Sequence, residues 1–301
     1  MIAIRALRAA KELGYQVASV YSTVDKDQKH LKLSDEAICI GPAISKDSYL
    51  NEAAIISAAE LVGADAIYPG YGFLAENSAF AEKCNESGFK FIGPDPKVIE
   101  IMGDKIRAKE LIESLGVPVV PGYTGKIDSQ DQIEKVVNDI GYPVIVKATA
   151  GGGGKGMRVV NEENELWDSV VSAQNEAQRA FGNGEVFIEK YLKKPRHIEI
   201  QVFGDGHGKV VHLYSRDCSL QRRYQKIIEE APAKNLPSDK LEEIQQICVK
   251  ACSELKYEGA GTLEFLYENN EFYFIEMNTR IQVEHTVTEM ITGVDLVQAQ
   301  L

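Results

Sequence analysis

Four consecutive glycines separate two strand-like runs in the segment KATAGGGGKGMRVV, residues 147–160. Each glycine inside a regular element costs about 0.5–1 kcal/mol relative to alanine, so such a run is expected where the chain needs bare backbone. It is not a Walker A loop, because Gly156 and Met157 follow Lys155 where that motif has serine or threonine. We predict the tip of a strand–glycine–strand hairpin, whose amide groups would close over phosphate oxygens beside the Lys147 ammonium. The alternative is a flexible surface loop.

Around this hairpin, strand-like and helix-like runs alternate in a way that predicts two kinds of sheet. Residues 1–102 predict a doubly wound α/β domain with parallel strands. This domain opens on a helix over residues 1–13, so we expect its first strand to be missing from the given sequence. The Pro- and Gly-rich stretch VPVVPGYTGK (117–126) marks a boundary. From residue 196 onward, long strands predict an antiparallel sheet of α+β type, which ends in two strands around Asn269 and Asn270.

Composition and charge limit the classes of partner. The 301 residues are 44% hydrophobic and 26% charged, which is typical of soluble globular proteins. A formal net charge of −12 argues against nucleic acid, and no apolar stretch is long enough for a bilayer. The five cysteines form no C-x-x-C pair and no secretory leader is present, so we expect reduced thiols and a cytoplasmic location. The basic clusters KKPRH and QRRYQK predict either solvated faces or a pocket for an anionic substrate.

The segment GYGFLA (70–75) matches the dinucleotide fingerprint G-x-G-x-x-[GA]. Tyr71 and Phe73 add bulk where a pyrophosphate needs room, and no acidic residue ends the next strand. We therefore predict a structural turn here in preference to a nicotinamide site.

The segment IEMNTRIQVEH (275–285) has a polar residue at every second position. These residues are Glu276, Asn278, Arg280, Gln282 and Glu284. In an extended chain all five would share one face. Carboxylates and amides are hard oxygen ligands for Mg²⁺, and a guanidinium can hold an oxyanion, so this face predicts a metal–anion site. Glu264 would join it if the hairpin register sets Glu264 opposite Glu276, which we expect to need an odd-numbered loop. The alternative is an amphipathic edge strand.

In their order along the chain, these segments resemble the biotin carboxylase family of the ATP-grasp superfamily. The resemblance covers nearly the whole chain, through the motifs GYGFLAEN, FIGP, MGDK, GYPVIVKATAGGGGKGMRVV, FIEKYL, PRHIEIQV, RDCSLQRR, EEAP, GAGTLEF, FYFIEMNTRIQVEH and TEMITGVDL. It implies a pre-ATP-grasp domain over residues 1–102 and an ATP-grasp domain over 103–301, with a small mobile lid at about 119–191. It also implies a third lobe that the given sequence lacks. The glycine run would be the phosphate-covering loop of the lid.

The resemblance implies roles for individual residues. The residues implied to bind ATP are Lys105, Lys147, Gly153, Gly154, Met157, Glu189, Lys190, Tyr191, Leu192, His197, Gln221 and Leu266. Two Mg²⁺ or Mn²⁺ ions would be held by Glu264, Glu276 and Asn278. The residues implied to bind bicarbonate are Lys226, Arg280, Gln282, Val283 and Glu284. Of these, Lys226, Arg280 and Glu284 would be catalytic, with Glu284 as the base.

The implied reaction is the ATP-dependent carboxylation of biotin. Bicarbonate attacks the γ-phosphate to give carboxyphosphate and ADP, and CO₂ from carboxyphosphate is captured by a ureido nitrogen of biotin. The implied partners are a biotin carboxyl carrier protein or domain, a carboxyltransferase component and a second copy of this chain, as in acetyl-CoA carboxylase or a related acyl-CoA carboxylase. Two alternatives stay open: another ATP-grasp carboxylate ligase, and a truncated nucleotide-binding module without turnover.

Four positions depart from the family pattern. Tyr224 stands where the family usually has histidine, and Thr286 where it usually has proline. Tyr68 replaces another histidine, and Ser215 replaces a glutamate. Tyr224 lies at an implied nucleotide contact, and Thr286 lies beside the implied base.

Overall fold

The structure, a computed structural model, describes residues 1–125, 127, 129–149, 157–223 and 225–301. Three regions follow one another along the chain, and both parallel and antiparallel strand pairs are present. Gly153, Gly154 and Tyr224 lie outside the described residues. Within the described ranges, no helix combines the length and the apolar run that crossing a bilayer requires.

The first region packs helices against short strands. Its helices are α1 (Ile2–Glu12), α2 (Glu52–Leu61), α3 (Ser78–Glu86), α4 (Pro96–Gly103) and α5 (Lys105–Ser114), and its strands are β1 (Ala18–Ser22), β2 (Glu36–Gly41), β3 (Ala66–Ile67) and β4 (Lys90–Phe91). β1 pairs with β2 and β3 with β4, both in parallel as the sequence predicts. The side chains of Asn51 and Asn77 cap α2 and α3. Between β3 and α3, GYGFLA forms a turn in which Gly70 and Gly72 have positive φ.

The second region is a four-stranded antiparallel sheet with two helices. Its strands are β5 (Gly122–Tyr123), β6 (Val144–Ala148), β7 (Arg158–Val160) and β8 (Val186–Lys190), in the order β5-β8-β6-β7, and its helices are α6 (Gln130–Ile140) and α7 (Leu166–Phe181). The core under the sheet takes Ile133 and Val137 from α6 and Val170 from α7. β6 and β7 form the hairpin predicted around the glycine run, and its tip, residues 150–156, lies outside the described residues.

The third region is a five-stranded antiparallel sheet. Its strands are β9 (Arg196–Asp205), β10 (Val210–Arg222), β11 (Gln225–Glu230), β12 (Glu258–Glu268) and β13 (Glu271–Asn278), in the order β11-β10-β9-β12-β13, and its helices are α8 (Ser238–Glu254), α9 (His285–Thr292) and α10 (Leu296–Gln300). On β9, the apolar residues Ile198, Ile200 and Val202 are buried in a core shared with α5 and α8. Because side chains alternate along a strand, His197, Glu199 and Gln201 point to the opposite face. The candidate site lies on that polar face.

The β12–β13 hairpin corrects one prediction about register. Its turn has two residues, Asn269 and Asn270, both with positive φ, which matches the twist of a tight hairpin. Such a turn should pair Glu264 with residue 275. Instead a β-bulge between Glu264 and Phe265 shifts the ladder by one residue and sets Glu264 opposite Glu276. The expected odd-numbered loop was therefore wrong, because the bulge supplies the extra residue.

The polar segment 276–284 is not one extended strand, so the predicted shared strand face was also wrong. β13 ends at Asn278, and α9 begins at His285. After Asn278 the chain leaves the sheet. The backbone N–H of Thr279 donates to Glu76 Oε1 at 3.1 Å instead of to a neighbouring strand. Ile281 is buried between β12 and α10. The polar side chains beyond Asn278 therefore reach the site from a folded-back loop.

Candidate active site

A row of four charged side chains crosses the five-stranded sheet. Arg216 on β10 lies opposite Glu199 on β9, and Glu199 lies opposite Glu264 on β12. Glu264 in turn lies opposite Glu276 on β13. Directly opposed residues of an antiparallel pair have Cβ atoms about 4.5–5.5 Å apart, so three adjacent carboxylates repel one another. The row can be ionised only if cations lie against it.

Lys226 and His197 supply those cations. Lys226 Nζ lies 2.7 Å from Glu264 Oε1 and 2.7 Å from Glu284 Oε1, and it also contacts Glu199. Burial by itself would lower the pKa of Lys226, but Glu264, Glu199 and Glu284 outweigh burial and raise it. His197 Nε2 lies 2.7 Å from Glu264 Oε2 and 3.4 Å from Glu199 Oε1.

The same contacts set the charge state of His197 and its partners. Burial would lower the pKa of His197, but hydrogen bonds to Glu199 and Glu264 raise it to about 9. In return, burial would raise the pKa of both carboxyls, but the hydrogen bonds from His197, helped by Lys226, leave each of these pKa values lowered. At neutral pH the ring is therefore charged, and a protonated ring has no lone pair for a metal ion.

Arg216 closes the other end of the row. Its side chain is fully buried, and its five N–H groups are matched by five acceptors. The acceptors are Glu199 Oε2 at 2.9 Å, Gln201 Oε1 at 2.6 Å, Thr288 Oγ1 at 3.0 Å, Thr262 Oγ1 at 3.1 Å and Gln282 Oε1 at 2.6 Å. By holding the oxygen of the Gln282 amide, Arg216 turns the Gln282 NH₂ group toward Glu264 Oε1, 2.8 Å away.

The loop after β13 is held by a residue of the first region. Glu76 accepts a 2.7 Å hydrogen bond from Arg280 Nε, and Arg280 Nη2 donates to Asn278 Oδ1 at 2.9 Å. Asn278 Nδ2 donates to Glu264 Oε1 at 2.7 Å. A continuous set of hydrogen bonds therefore runs from Glu76 through Arg280 and Asn278 to the carboxylate row.

A cavity of about 290 Å³ opens beside this set. Its lining includes Lys105, Glu276, Asn278, Arg280 and Glu76. Lys105 is the first residue of α5, which Asp104 caps by accepting two backbone N–H groups. Surrounding protein and the nearby Glu264 raise the pKa of Glu276, although its side chain faces solvent in the cavity.

The donor set at this cavity fits a hard divalent cation. Glu264 and Glu276 are directly opposite, and Asn278 lies two residues along the same strand. Carboxylate and amide oxygens are the ligands that Mg²⁺ and Mn²⁺ prefer. A cation here would also relieve the repulsion that raises the pKa of Glu276.

On the four-stranded sheet of the second region, a buried carboxylate lies between two lysines. Lys147 Nζ on β6 lies 2.6 Å from Glu189 Oε2 on β8, and Lys109 of α5 contacts Glu189 Oε1. Burial and Lys105 lower the pKa of Lys147 to about 8. Burial, followed by Lys147 and Lys105, lowers the pKa of Lys109 to about 7. Besides burial, neighbouring lysines thus lower the pKa of Lys147 and of Lys109, so an anion bound among them would stabilise their charged forms.

Comparison with known proteins agrees with this geometry. Residues 1–99 match the family model "Biotin carboxylase, N-terminal domain", and residues 104–301 match "Carbamoyl-phosphate synthase L chain, ATP binding domain". The biotin carboxylase of Haemophilus influenzae is 58% identical over 301 residues, which are 100% of this chain and 67% of that protein. The chain belongs to the biotin carboxylase family. It is therefore an ATP-grasp protein, and the family consists of ATP-dependent ligases.

Two solved biotin carboxylase structures superpose closely. A biotin carboxylase–β,γ-ATP complex from Campylobacter jejuni has a TM-score of 0.94 and 52% identity, over 99% of this chain and 67% of that one. A 2-oxoglutarate carboxylase biotin carboxylase domain dimer from Hydrogenobacter thermophilus, in complex with MgADP, ADP and bicarbonate, has a TM-score of 0.92 and 51% identity, over 99% and 66%. The biotin carboxylase family also includes subunits of larger biotin-dependent carboxylases.

The structure brings most of the sequence-predicted site residues of this biotin carboxylase family member together. Glu264, Asn278, Gln282, Lys226 and Glu284 are joined by direct contacts. Arg280 reaches them through Asn278, and Glu276 lies opposite Glu264. The Gln221 amide lies 3.1 Å from His197 Nδ1, and Leu266 is the ladder partner of His197. Lys105 lines the cavity, and Lys147 contacts Glu189.

Other predicted residues lie elsewhere. Lys190 Nζ donates to the backbone carbonyls of Gly141 and Tyr142, at 2.9 and 3.0 Å, so its ammonium is engaged with the chain before β6. Tyr191 donates its backbone N–H to Pro143 at 3.0 Å. The partly buried Leu192 follows, Met157 precedes β7, and Val283 is exposed.

Several described residues that contact the site carried no prediction, among them Glu76, Lys109, Glu199 and Arg216. Glu199 could have been predicted from the sequence. His197, Glu199 and Gln201 alternate with apolar residues, which is the same pattern that predicted the polar residues of segment 276–284. Glu76 and Arg216 lie in the recognised motifs GYGFLAEN and RDCSLQRR. Lys109 had no signal, because a lysine on an amphipathic helix normally faces solvent.

Three of the departures from the family pattern have a place in the structure. Tyr68 donates its hydroxyl to Gln300 Oε1 at 3.1 Å, and Ser215 is buried and accepts the backbone N–H of Ala233 at 3.2 Å. Thr286 is exposed in the first turn of α9. Tyr68 and Ser215 are therefore accommodated by local hydrogen bonds.

Proposed function

We propose that this chain carries out the first half-reaction of a biotin-dependent carboxylase, in which bicarbonate and ATP carboxylate biotin on a carrier protein or domain. One observation carries the proposal. An unbroken set of contacts joins Arg280, Asn278, Glu264, Lys226 and Glu284, beside a cavity lined by Lys105. Cation, anion and base positions are thus adjacent.

We assign bicarbonate to the space between Lys226, Arg280 and the Gln282 amide, with Val283 beside it. Glu284 is the base. Its side chain is 6% exposed, and Lys226 Nζ lies 2.7 Å from Glu284 Oε1, which holds the carboxylate in place beside the proposed bicarbonate position. Glu284 would take the bicarbonate proton, and the freed oxygen would attack the γ-phosphorus as the bond to ADP breaks. Carboxyphosphate then breaks down to CO₂ and phosphate, the phosphate takes the proton of a ureido N–H of biotin, and that nitrogen bonds the carbon of CO₂.

We assign the ATP phosphates to Lys105, Lys147 and the lid glycines Gly153 and Gly154. Met157, Leu266 and the segment Glu189–Leu192 would hold adenine, and His197 and Gln221 would lie near the ribose. Glu264, Glu276 and Asn278 would hold two Mg²⁺ or Mn²⁺ ions, which when bound neutralise charge on the transferring phosphoryl group. The lid excludes water, which protects carboxyphosphate from hydrolysis.

The domain and partner assignments are part of this proposal. We place the N-terminal domain at 1–102 and the ATP-grasp domain at 103–301, with the lid at about 119–191. Similar chains include subunits of pyruvate carboxylase and of methylcrotonoyl-CoA carboxylase. Such enzymes support a biotin carrier and a carboxyltransferase as partners of this chain. The dimeric Hydrogenobacter domain supports a homodimer. We propose a cytoplasmic location.

The test is ATP hydrolysis with and without bicarbonate and free biotin. We expect hydrolysis to need bicarbonate and to rise with biotin. Glu284→Gln should abolish turnover and leave ATP affinity within about twofold, because a base acts only in the chemical step. Glu271→Gln, at the exposed start of β13, is the matched control and should behave as wild type. Activity with an amino acid in place of bicarbonate would identify another ligase, and ATP binding without hydrolysis would identify a module without turnover.

A further inference from the structure

Glu189 is an almost fully buried charged group on the four-stranded sheet of the second region. Its side chain is 2% exposed, and each of its carboxylate oxygens contacts a different lysine. Lys147 on the neighbouring strand lies at Oε2, and Lys109 from α5 lies at Oε1. Two lysine side chains therefore contact one buried carboxylate, although a single cation would be enough to neutralise its charge.

The two lysines differ in their surroundings. The Lys147 side chain is 20% exposed, and the negative charge of Glu276 favours its charged form. The Lys109 side chain is 9% exposed, and its ammonium lies 5.0 Å from the centre of the Phe187 ring, which favours a cation. Lys147 can therefore turn toward a ligand, whereas Lys109 is held in place behind Glu189.

A turn of Lys147 toward a phosphate would leave Glu189 with a single partner. A buried carboxylate without any partner is strongly unfavourable, so Lys147 could leave only if another cation stays. Lys147 is also one of the charges that lower the pKa of Lys109. Its departure therefore strengthens the positive charge of Lys109 at the moment when Glu189 needs it.

We propose that Lys109 is a positioning residue for nucleotide binding: it remains paired with Glu189 and so releases Lys147 to the triphosphate. This inference rests on the proposed phosphate role of Lys147. The charged groups that face Lys109 are Glu189 and Lys147 from the four-stranded sheet and Lys105 from its own helix.

Calorimetric titration with a non-hydrolysable ATP analogue plus Mg²⁺, and separately with adenosine, tests the proposal. Lys109→Met should weaken binding of the analogue about tenfold or more, because Lys147 stays on Glu189. Adenosine affinity should change less than about twofold, since adenosine has no phosphate for Lys147. Lys109→Arg should restore analogue binding. Lys250→Met, on the exposed face of α8, is the matched control.

The Glu189→Gln background separates pairing from a general structural effect. There no buried carboxylate remains, so adding Lys109→Met should change analogue affinity less than about threefold relative to Glu189→Gln alone. If Lys109→Met alone does not fold, the comparison of Glu189→Gln with the double variant still tests the proposal. Three results would overturn the proposal. Lys109→Met could bind the analogue as tightly as wild type, or it could lose as much affinity for adenosine as for the analogue. In the Glu189→Gln background, Lys109→Met could still lower the analogue affinity tenfold. If Lys147→Met leaves analogue affinity unchanged, the proposed phosphate role of Lys147 fails instead.

Discussion

Glu264 and Glu276 face each other across β12 and β13 because a single bulge at the site compensates for a two-residue turn. The pairing places two carboxylates at directly opposed positions of neighbouring strands, and carboxylate oxygens are ligands that Mg²⁺ prefers. Desolvation by the surrounding protein is the larger cause that raises the pKa of Glu276 and the charge of Glu264 is the second, so ionising both carboxyls is unfavourable without a cation.

Glu276→Gln should raise stability in the absence of metal and weaken metal binding. A carboxyl whose folded pKa is raised destabilises the fold once pH exceeds its ordinary value of 4.5, so the gain should be present at pH 7 and absent below about pH 4. Thermal unfolding with and without MgCl₂ measures both effects. Glu271→Gln should show neither. A variant that keeps the full Mg²⁺-dependent rise in Tm would contradict the role of Glu276 as a ligand.

His197 should make stability fall as pH rises. Its folded pKa of about 9 lies above the ordinary 6.5, so its contribution is complete below pH 6.5 and lost between pH 6.5 and 9. The cost of His197→Gln in unfolding free energy should therefore be about 3 kcal/mol larger at pH 6 than at pH 9.5. Urea denaturation at both pH values measures this difference. His207→Gln, in an exposed turn, is the control, and an equal cost for His197→Gln at both pH values would contradict the ion pairs.

Arg216→Met should destabilise the protein by about 3–5 kcal/mol. The substitution removes the arginine from the buried carboxylate of Glu199 and leaves four further acceptors without its hydrogen bonds. Arg107→Met is the comparison. Arg107 pairs with Glu100 at the surface, with both side chains more than half exposed, so its loss should cost less than about 1 kcal/mol. Similar losses for the two variants in chemical denaturation would show that the buried network contributes no more than a surface pair.

Glu76→Ala should reduce kcat/KM for bicarbonate by about 10- to 100-fold, because Arg280 loses the acceptor that fixes its Nε. ATP affinity should stay within about twofold, since Glu76 has no place among the proposed nucleotide contacts. Steady-state kinetics and calorimetry separate the two effects. Glu82→Ala, on the exposed side of α3, provides the control. An equal fall in ATP affinity would mean that Glu76 supports the cavity as a whole.

Local patterns in the sequence were sufficient to predict many of the helices, strands and turns. The helices that Asn51 and Asn77 cap, the hairpin around the glycine run and the Asn269–Asn270 turn were all predicted from neighbouring residues. In contrast, α4, α5 and β11 carried no prediction. α4 and α5 follow each other with only Asp104 between them, so their apolar positions merge into one run without a clear break.

The sequence by itself determined which side chains carry the chemistry, because residue type and spacing along the chain are local properties. It placed Glu264, Glu276 and Asn278 on adjoining strands, and it marked Lys147 at the entry to the glycine run. Only the tertiary structure decided the register of the two carboxylates, the hold of Glu76 on Arg280 and the burial of Lys109 against Glu189. Those contacts join residues between about 10 and 200 positions apart, and their geometry depends on how whole sheets and helices pack. No short stretch of sequence contains that information.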